Sequence, residues 1–203
     1  VYDEFWHLFT AIHPLFSNLL GPHFKRLPDF WAWRVDGRSG GTGWRAHRDK
    51  GYIALLPDRR PKSLTVWIPL TDATPLNGCI YVVPAHRDPT YGTIDDKSLQ
   101  FELGDIRALP AAAGSLLCWT QALMHWGATA SSRASHPRIS VAFEYQRADM
   151  PPFNEPLLPP DQLPNINSRL RLVTKQLLQY KHMYGLSARD DELTKALAGT
   201  LLS

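Results

Sequence analysis

Residues 64–83 read LTVWIPLTDATPLNGCIYVV. Both ends of this stretch are apolar and rich in β-branched or aromatic side chains, which suit a pleated, half-buried surface. Asn77-Gly78 stands between them, and Asn-Gly flanked by such runs is a strong short-range hairpin signal. Residues 64–70 are therefore expected to form a strand and residues 79–83 its returning partner. The same character extends outward. From Phe30 to about Gln146, short runs of Trp, Val, Ile and Tyr alternate with Gly, Pro, Asn and Asp, and residues 116–119 and 139–145 are two further strand candidates. Strands at this spacing favour a sandwich or barrel over parallel βαβ units.

Helices are expected on either side of this β core, taken as residues 30–148. In the opening segment Phe5, Leu8, Phe9, Ile12, Phe16, Leu19 and Leu20 recur at helical spacing, and Pro14 and Pro22 predict a kinked or broken lead-in. Between Met150 and Pro164 six prolines remove backbone donors, which predicts an extended connector. Beyond it Leu170, Val173, Leu177, Leu178 and Tyr180 form a helical stripe, and Ser187 is placed to cap a second helix, so C-terminal helices are expected over residues 166–200. The 203 residues are read as a single domain, mainly β with flanking helices.

Composition is that of an ordinary globular chain, with 44% hydrophobic and 20% charged residues. A formal charge of +3, from 22 basic against 19 acidic residues, gives no electrostatic footprint for nucleic acid. Arg59, Arg60 and Lys62 read as a solvated loop. No apolar stretch approaches the roughly 18 residues needed to span a bilayer, and Asp3, Glu4 and His7 make the N-terminus unlike a secretory signal. Cys79 and Cys118 each lie within an apolar run, which argues against a disulfide framework and for a reducing, cytoplasmic setting. The glycines at 40, 41 and 43 mark a flexible loop, without the strand–loop–helix context of a nucleotide site.

Chemistry concentrates at His47-Arg48-Asp49, where residues 44–46 are expected to lead in as a strand. Residues two apart in an extended chain share a face, so the imidazole and the carboxylate can grip one ion together. His125, in GSLLCWTQALMHWG at residues 114–127, is the candidate third ligand. Two histidines and one carboxylate cap one face of an octahedral iron and leave the other open, as in non-haem Fe(II) oxygenases. Thirteen residues further on, Arg138 opens the segment RISVAF. Arg138 and Ser140 share a face and can hold a distal carboxylate, which would anchor 2-oxoglutarate.

These features together resemble the phytanoyl-CoA dioxygenase family of 2-oxoglutarate-dependent oxygenases. The resemblance rests on His47-x-Asp49, on TVWIPLTDATPLNGCIYVVPAHR at residues 65–87, on residues 114–127 and on the PRIS segment at residues 137–140. It implies a double-stranded β-helix core, the jelly-roll or cupin-like architecture, with His47, Asp49 and His125 binding Fe(II) and Arg138 binding the C5 carboxylate of 2-oxoglutarate. It further implies that O2 and 2-oxoglutarate are consumed, succinate and CO2 released and a small-molecule substrate hydroxylated. Asp49 argues against halogenation, because related halogenases replace this carboxylate to admit chloride. Members of the family often carry Gln where this chain has Arg48.

Competing readings stay open at this level. His86-Arg87-Asp88 repeats the metal triplet, although Pro84 and Pro89 place it in a turn. Arg138 could pair with Glu144 or Asp149, and Arg133 rivals it as the anchor. Trp44, Trp67 and Trp126 are candidates for walling a substrate pocket. The alternative functions are a jelly-roll metal-binding module without turnover, and a cupin-like metalloenzyme that does not use 2-oxoglutarate.

Overall fold

The computed structural model describes residues 2–183 and 185–201, and its chain divides into two compact units, Val1–Asp29 with Pro151–Ser203, and Phe30–Met150. No helix among the described residues is long and apolar enough to cross a membrane.

In the first unit helix α1 (Asp3–Leu20) buries Phe9, Phe16 and Leu20. The expected break at Pro14 does not occur. Proline removes the N–H that would bond the Thr10 carbonyl, and the His13 ring Nδ1 lies 2.9 Å from that oxygen in its place. Phe16 packs on Phe24, and the Arg26 guanidinium lies over the rings of Trp6 and Phe9 at 4.2 and 3.9 Å. Arg26 and Leu158 exchange both backbone hydrogen bonds, which anchors the proline-rich connector. Helix α2 (Ile166–Tyr180) is capped by Asn165, which accepts from the Ser168 N–H. Its buried residues are Arg169, Leu172 and Thr174, whereas Val173 of the expected apolar stripe is exposed. The Ser187 hydroxyl accepts from the Asp190 N–H at the start of α3 (Ala188–Leu201), as expected of a cap.

Strand β1 (Phe24–Val35) leads into the second unit. One sheet has the order β1-β7-β2-β5, with β2 at Ser63–Pro69, β5 at Leu117–Thr120 and β7 at Arg138–Arg147; the other has the order β4-β3-β6, with β3 at Ile80–Val82, β4 at Arg107–Leu109 and β6 at His125–Gly127. Every residue of β2 is buried. A strand covered on both faces is mostly apolar, and the two polar residues of SLTVWIP, Ser63 and Thr65, are buried with their hydroxyls hydrogen-bonded. Burying Val66 and Val141 contributes roughly 1.5–3 kcal/mol each. Trp67, Trp119 and Ala142 from the first sheet meet Ile80 and Val82 from the second in one apolar cluster.

The hairpin expected at Asn77-Gly78 is not formed. Strand β2 pairs with β5 and β7, while β3 pairs with β4 and β6, so the turn carries the chain from one sheet to the other. Asn77 closes this turn locally, accepting from the Thr74 N–H and donating to the Asp72 carbonyl. Gly78 has φ +84°, and a Cβ there would lie 2.5 Å from the Ala128 carbonyl oxygen, so the crossing leaves no room for a side chain. Local sequence encodes the turn, but the partner of each strand is chosen by long-range burial.

Neither cysteine is in a disulfide. Burial raises the Cys79 thiol and pushes the Cys118 thiol up to about 12, which suppresses the reactive thiolate. Ellman's reagent at pH 8 should therefore label the native protein slowly, and should titrate both thiols promptly once guanidinium unfolds it.

Candidate metal centre

Residues 44–46 do not form the strand expected of them. The backbone here is nevertheless extended beside β6, and His47 and His125 exchange both N–H···O bonds at 3.0 Å. The Gly127 N–H donates to the Trp44 carbonyl, and the Gly43 N–H to the Ala128 carbonyl. This approach depends on glycine at both positions: a Cβ on Gly43 would lie 2.5 Å from the Gly127 Cα, and one on Gly127 would lie 2.9 Å from the Gly43 Cα. The pairing leaves the two imidazole centroids 4.4 Å apart.

Asp49 completes a cluster. Its Oδ1 lies 3.4 Å from His47 Nε2 and 3.6 Å from His125 Nε2, and all three candidate ligand atoms fall within 4.8 Å of one another. The second nitrogen of each ring is already engaged: His47 Nδ1 lies 2.7 Å from the Arg45 carbonyl oxygen, and His125 Nδ1 lies 3.0 Å from that of Leu123. A ring nitrogen facing a carbonyl must carry the proton, so these contacts assign the tautomer that leaves both Nε2 lone pairs free for a cation. Asp49 is oriented in the same way. The Thr65 hydroxyl donates to its Oδ2 at 2.6 Å, which directs Oδ1 toward the histidines. Gln121, itself held by the Ser63 hydroxyl, donates to Thr65, and its carbonyl accepts the Lys50 and Gly51 N–H groups.

Electrostatics favour ligation. Burial opposes the charge on Asp49, but His125, His47 and the Thr65 hydroxyl outweigh it and hold the carboxyl well below the usual range. Burial lowers the pKa of His125 against the pull of Asp49, so its neutral, ligating form prevails at neutral pH. Two imidazole nitrogens and one carboxylate oxygen, preset in this way, fit a divalent transition metal bound on one face.

Arg138 is the other pole of the site. It is 2% exposed, its Nε donates to the Gly78 carbonyl and its Nη1 to the Ser140 hydroxyl, and its guanidinium lies 5.6 Å from the Trp67 ring centroid. Burial brings its pKa down to about 10, which leaves it cationic at neutral pH. No carboxylate among the described residues pairs with it: Asp149 is bound by Arg147, and Glu144 faces Lys50 at 3.8 Å. Cross-strand partners share a sheet face. The register Thr65↔Trp119, Thr65↔Glu144, Trp67↔Ala142 and Pro69↔Ser140 therefore puts Thr65, which holds Asp49, on the same face as Trp67 and Ser140. Trp67 follows Thr65 by about 7 Å along the strand.

Trp44 is 37% exposed, meets the His47 ring edge-on at 6.5 Å, and continues into a row with Trp33 and Trp31. Trp126 is not brought to the cluster. Alternation along β6 turns it to the face opposite His125, where it stacks between Tyr81 and Phe101. The second triplet is also excluded from this geometry: His86 is exposed, and Asp88 is buried in an ion pair with Arg48. Arg133 is exposed on its turn.

Sequence reasoning missed Thr65, Gln121 and the role of Arg48. Thr65 is a polar residue at a buried strand position and Gln121 a buried polar residue in the turn directly after β5, a signal that was available. Arg48 donates to the Asp88 carboxylate at 2.6 Å, to Thr90 Oγ1 and to the Asp96 carbonyl, and the Asp96 carboxylate accepts the Tyr52 N–H. The residue between two candidate ligands thus clips the 88–98 loop to the segment that carries them.

The family model for phytanoyl-CoA dioxygenase matches residues 13–139. Among solved structures, the non-heme monooxygenase ThoJ superposes with a TM-score of 0.62 at 18% identity, covering 85% of this chain and 71% of its own. The non-heme alpha ketoglutarate dependent epimerase SnoN from nogalamycin biosynthesis gives 0.54 at 21% identity, covering 72% of this chain and 57% of its own, so this chain spans less than two thirds of that relative. HygX from Streptomyces hygroscopicus, solved with nickel and 2-oxoglutarate bound, gives 0.54 at 15% identity, covering 73% and 69%. At these identities the likeness is one of fold. No curated protein sequence matches significantly.

Thr65→Val keeps the shape of residue 65 and removes the donor to Asp49. Metal affinity, read by competition of Co(II) with a chromophoric chelator, should fall about tenfold or more. Asp88→Asn leaves the buried Arg48 charge uncompensated and should lower stability by about 3 kcal/mol in urea unfolding.

Proposed function

Because the chain belongs to the phytanoyl-CoA dioxygenase family, we propose that it is an Fe(II)- and 2-oxoglutarate-dependent dioxygenase that hydroxylates an unactivated C–H bond of a small molecule, releasing succinate and CO2. One observation carries this reading above the others: Thr65, which holds the Asp49 of a histidine–aspartate–histidine cluster, shares a sheet face with Ser140, which binds a buried arginine that no carboxylate pairs with among the described residues. A metal-binding module without turnover would have no use for the second pole, and neither would a cupin-like enzyme that dispenses with 2-oxoglutarate. We read the two facing sheets as the halves of a double-stranded β-helix.

In this assignment His47, Asp49 and His125 hold Fe(II), and their backbone and Thr65 contacts keep the three donor atoms aimed at one point before the metal arrives. Arg138 and Ser140 bind the C5 carboxylate of 2-oxoglutarate. The Gly78 carbonyl fixes the guanidinium so that it does not swing toward another partner. Trp67 lies beneath that end, and the apolar cluster of Trp67, Trp119, Ala142, Ile80 and Val82 keeps water from the space between the poles. When bound, iron and 2-oxoglutarate supply the oxidising power; the protein supplies ligation, orientation and dryness. Retention of Asp49 favours hydroxylation over halogenation. Trp44, beside His47 and open to solvent, is our candidate for the substrate side. Two free cysteines fit a reducing compartment.

Anaerobic addition of Fe(II) and then 2-oxoglutarate to the apo protein should develop the weak visible charge-transfer band of a chelated keto acid. Arg138→Ala should need at least about tenfold more 2-oxoglutarate for the same band, because a bidentate, buried contact to a carboxylate is lost. Iron binding with no band in the wild type would overturn the cosubstrate assignment and favour the cupin-like reading.

A further inference from the structure

Trp119 is 7% exposed, and its indole Nε1–H is buried with no hydrogen-bond partner among the described residues. A buried donor left unsatisfied is uncommon and destabilising, and buried tryptophans usually find an acceptor. The location is informative. Trp119 is the cross-strand partner of Thr65, so it stands on the sheet face from which the Thr65 hydroxyl reaches Asp49. Its ring packs against that of His125, with centroids 4.8 Å apart. Among nearby acceptors, Asp49 Oδ2 takes the Thr65 hydroxyl, Thr65 Oγ1 takes the Gln121 amide, the Leu123 carbonyl faces the protonated His125 Nδ1, and the Glu144 carboxylate, also on this face, faces Lys50 at 3.8 Å. Elsewhere the indole is surrounded by the apolar cluster of Trp67 and Ala142, which offers no side-chain oxygen. The donor thus lacks an acceptor on the sheet face beside the candidate metal ligands.

We infer that Trp119 is a further binding residue, whose indole N–H donates to the carboxylate of 2-oxoglutarate nearer the metal, the end that Arg138 does not hold. The inference rests on the function proposed above. It completes a division of labour: a cationic fork grips the distal carboxylate, and a neutral, shape-fixed donor orients the proximal one without adding charge beside the metal. Phenylalanine at this position would pack similarly but leave that carboxylate without its partner.

The test uses the full chain with Zn(II) in place of iron, so that the protein stays diamagnetic and inert. In the 15N-labelled wild type the Trp119 indole N–H resonance should move downfield and exchange more slowly when 2-oxoglutarate is added. In the Fe(II) form, Trp119→Phe should bind 2-oxoglutarate roughly tenfold or more weakly, the usual scale for losing a hydrogen bond to a charged acceptor. Its Fe(II) affinity should match that of the wild type, a split that a merely structural role would not produce. The resonance measurement needs no variant and decides the matter even if Trp119→Phe folds poorly. A wild type that binds 2-oxoglutarate while the indole signal stays put, as it would with an ordered water as the only partner, overturns this inference alone. A wild type that binds no 2-oxoglutarate overturns it together with the proposed function.

Discussion

Two peptide groups, those of His47 and His125, exchange their hydrogen bonds, and the rest of the site is arranged around that exchange. It joins an irregular loop to a three-residue strand, a pairing with little regular sheet around it. What makes it possible is steric: Gly43 and Gly127 bring the two backbones closer than any side chain would permit. Once the two peptides are paired, the rings stand side by side and Asp49, two residues along, has only to turn toward them. Thr65 and Gln121, both set by the buried four-stranded sheet, provide that turn. Ligand geometry is therefore held by both sheets at once.

Strand alternation then decides which residues can take part. On β2 the odd-numbered positions Thr65, Trp67 and Pro69 face the same way, and the register carries that face across to Ser140, Ala142 and Glu144 on β7 and to Trp119 on β5. The same rule excludes Trp126, although it is adjacent in sequence to a candidate ligand. Proximity along the chain and proximity in the site part company wherever the chain is extended.

That distinction explains what could be read in advance. His47 with Asp49 and Arg138 with Ser140 were legible as candidate pairs because i, i+2 spacing is a local property, His125 because an apolar run leads into it, and Ser187 because a cap is local too. Asn77-Gly78 was legible as a turn but not as a crossing between sheets, since a turn's sequence does not name the strand that the chain will meet next. Pro14 does not break α1, and the Thr10 carbonyl it frees has a substitute partner in His13, a side-chain contact that periodicity does not carry. Thr65 and Gln121 belonged to buried segments read only for their apolar character. Arg48 looked like a neutral departure from a family pattern until its partners, some 40 to 48 residues away, came into view.

The Arg48 clip has a consequence for how such a protein diversifies. A loop is usually free to drift, as a module exchanged among relatives with little regard for the scaffold. Here the 88–98 segment carries the counter-charge for a guanidinium lodged between two candidate ligands. An incoming segment without an acid at the right place would leave that cation stranded and disturb the candidate ligands on either side of it. Innovation in this region is therefore constrained to lineages that keep, or reinvent, one buried salt link, and a designer grafting a new loop must transplant Asp88 along with the sequence of interest.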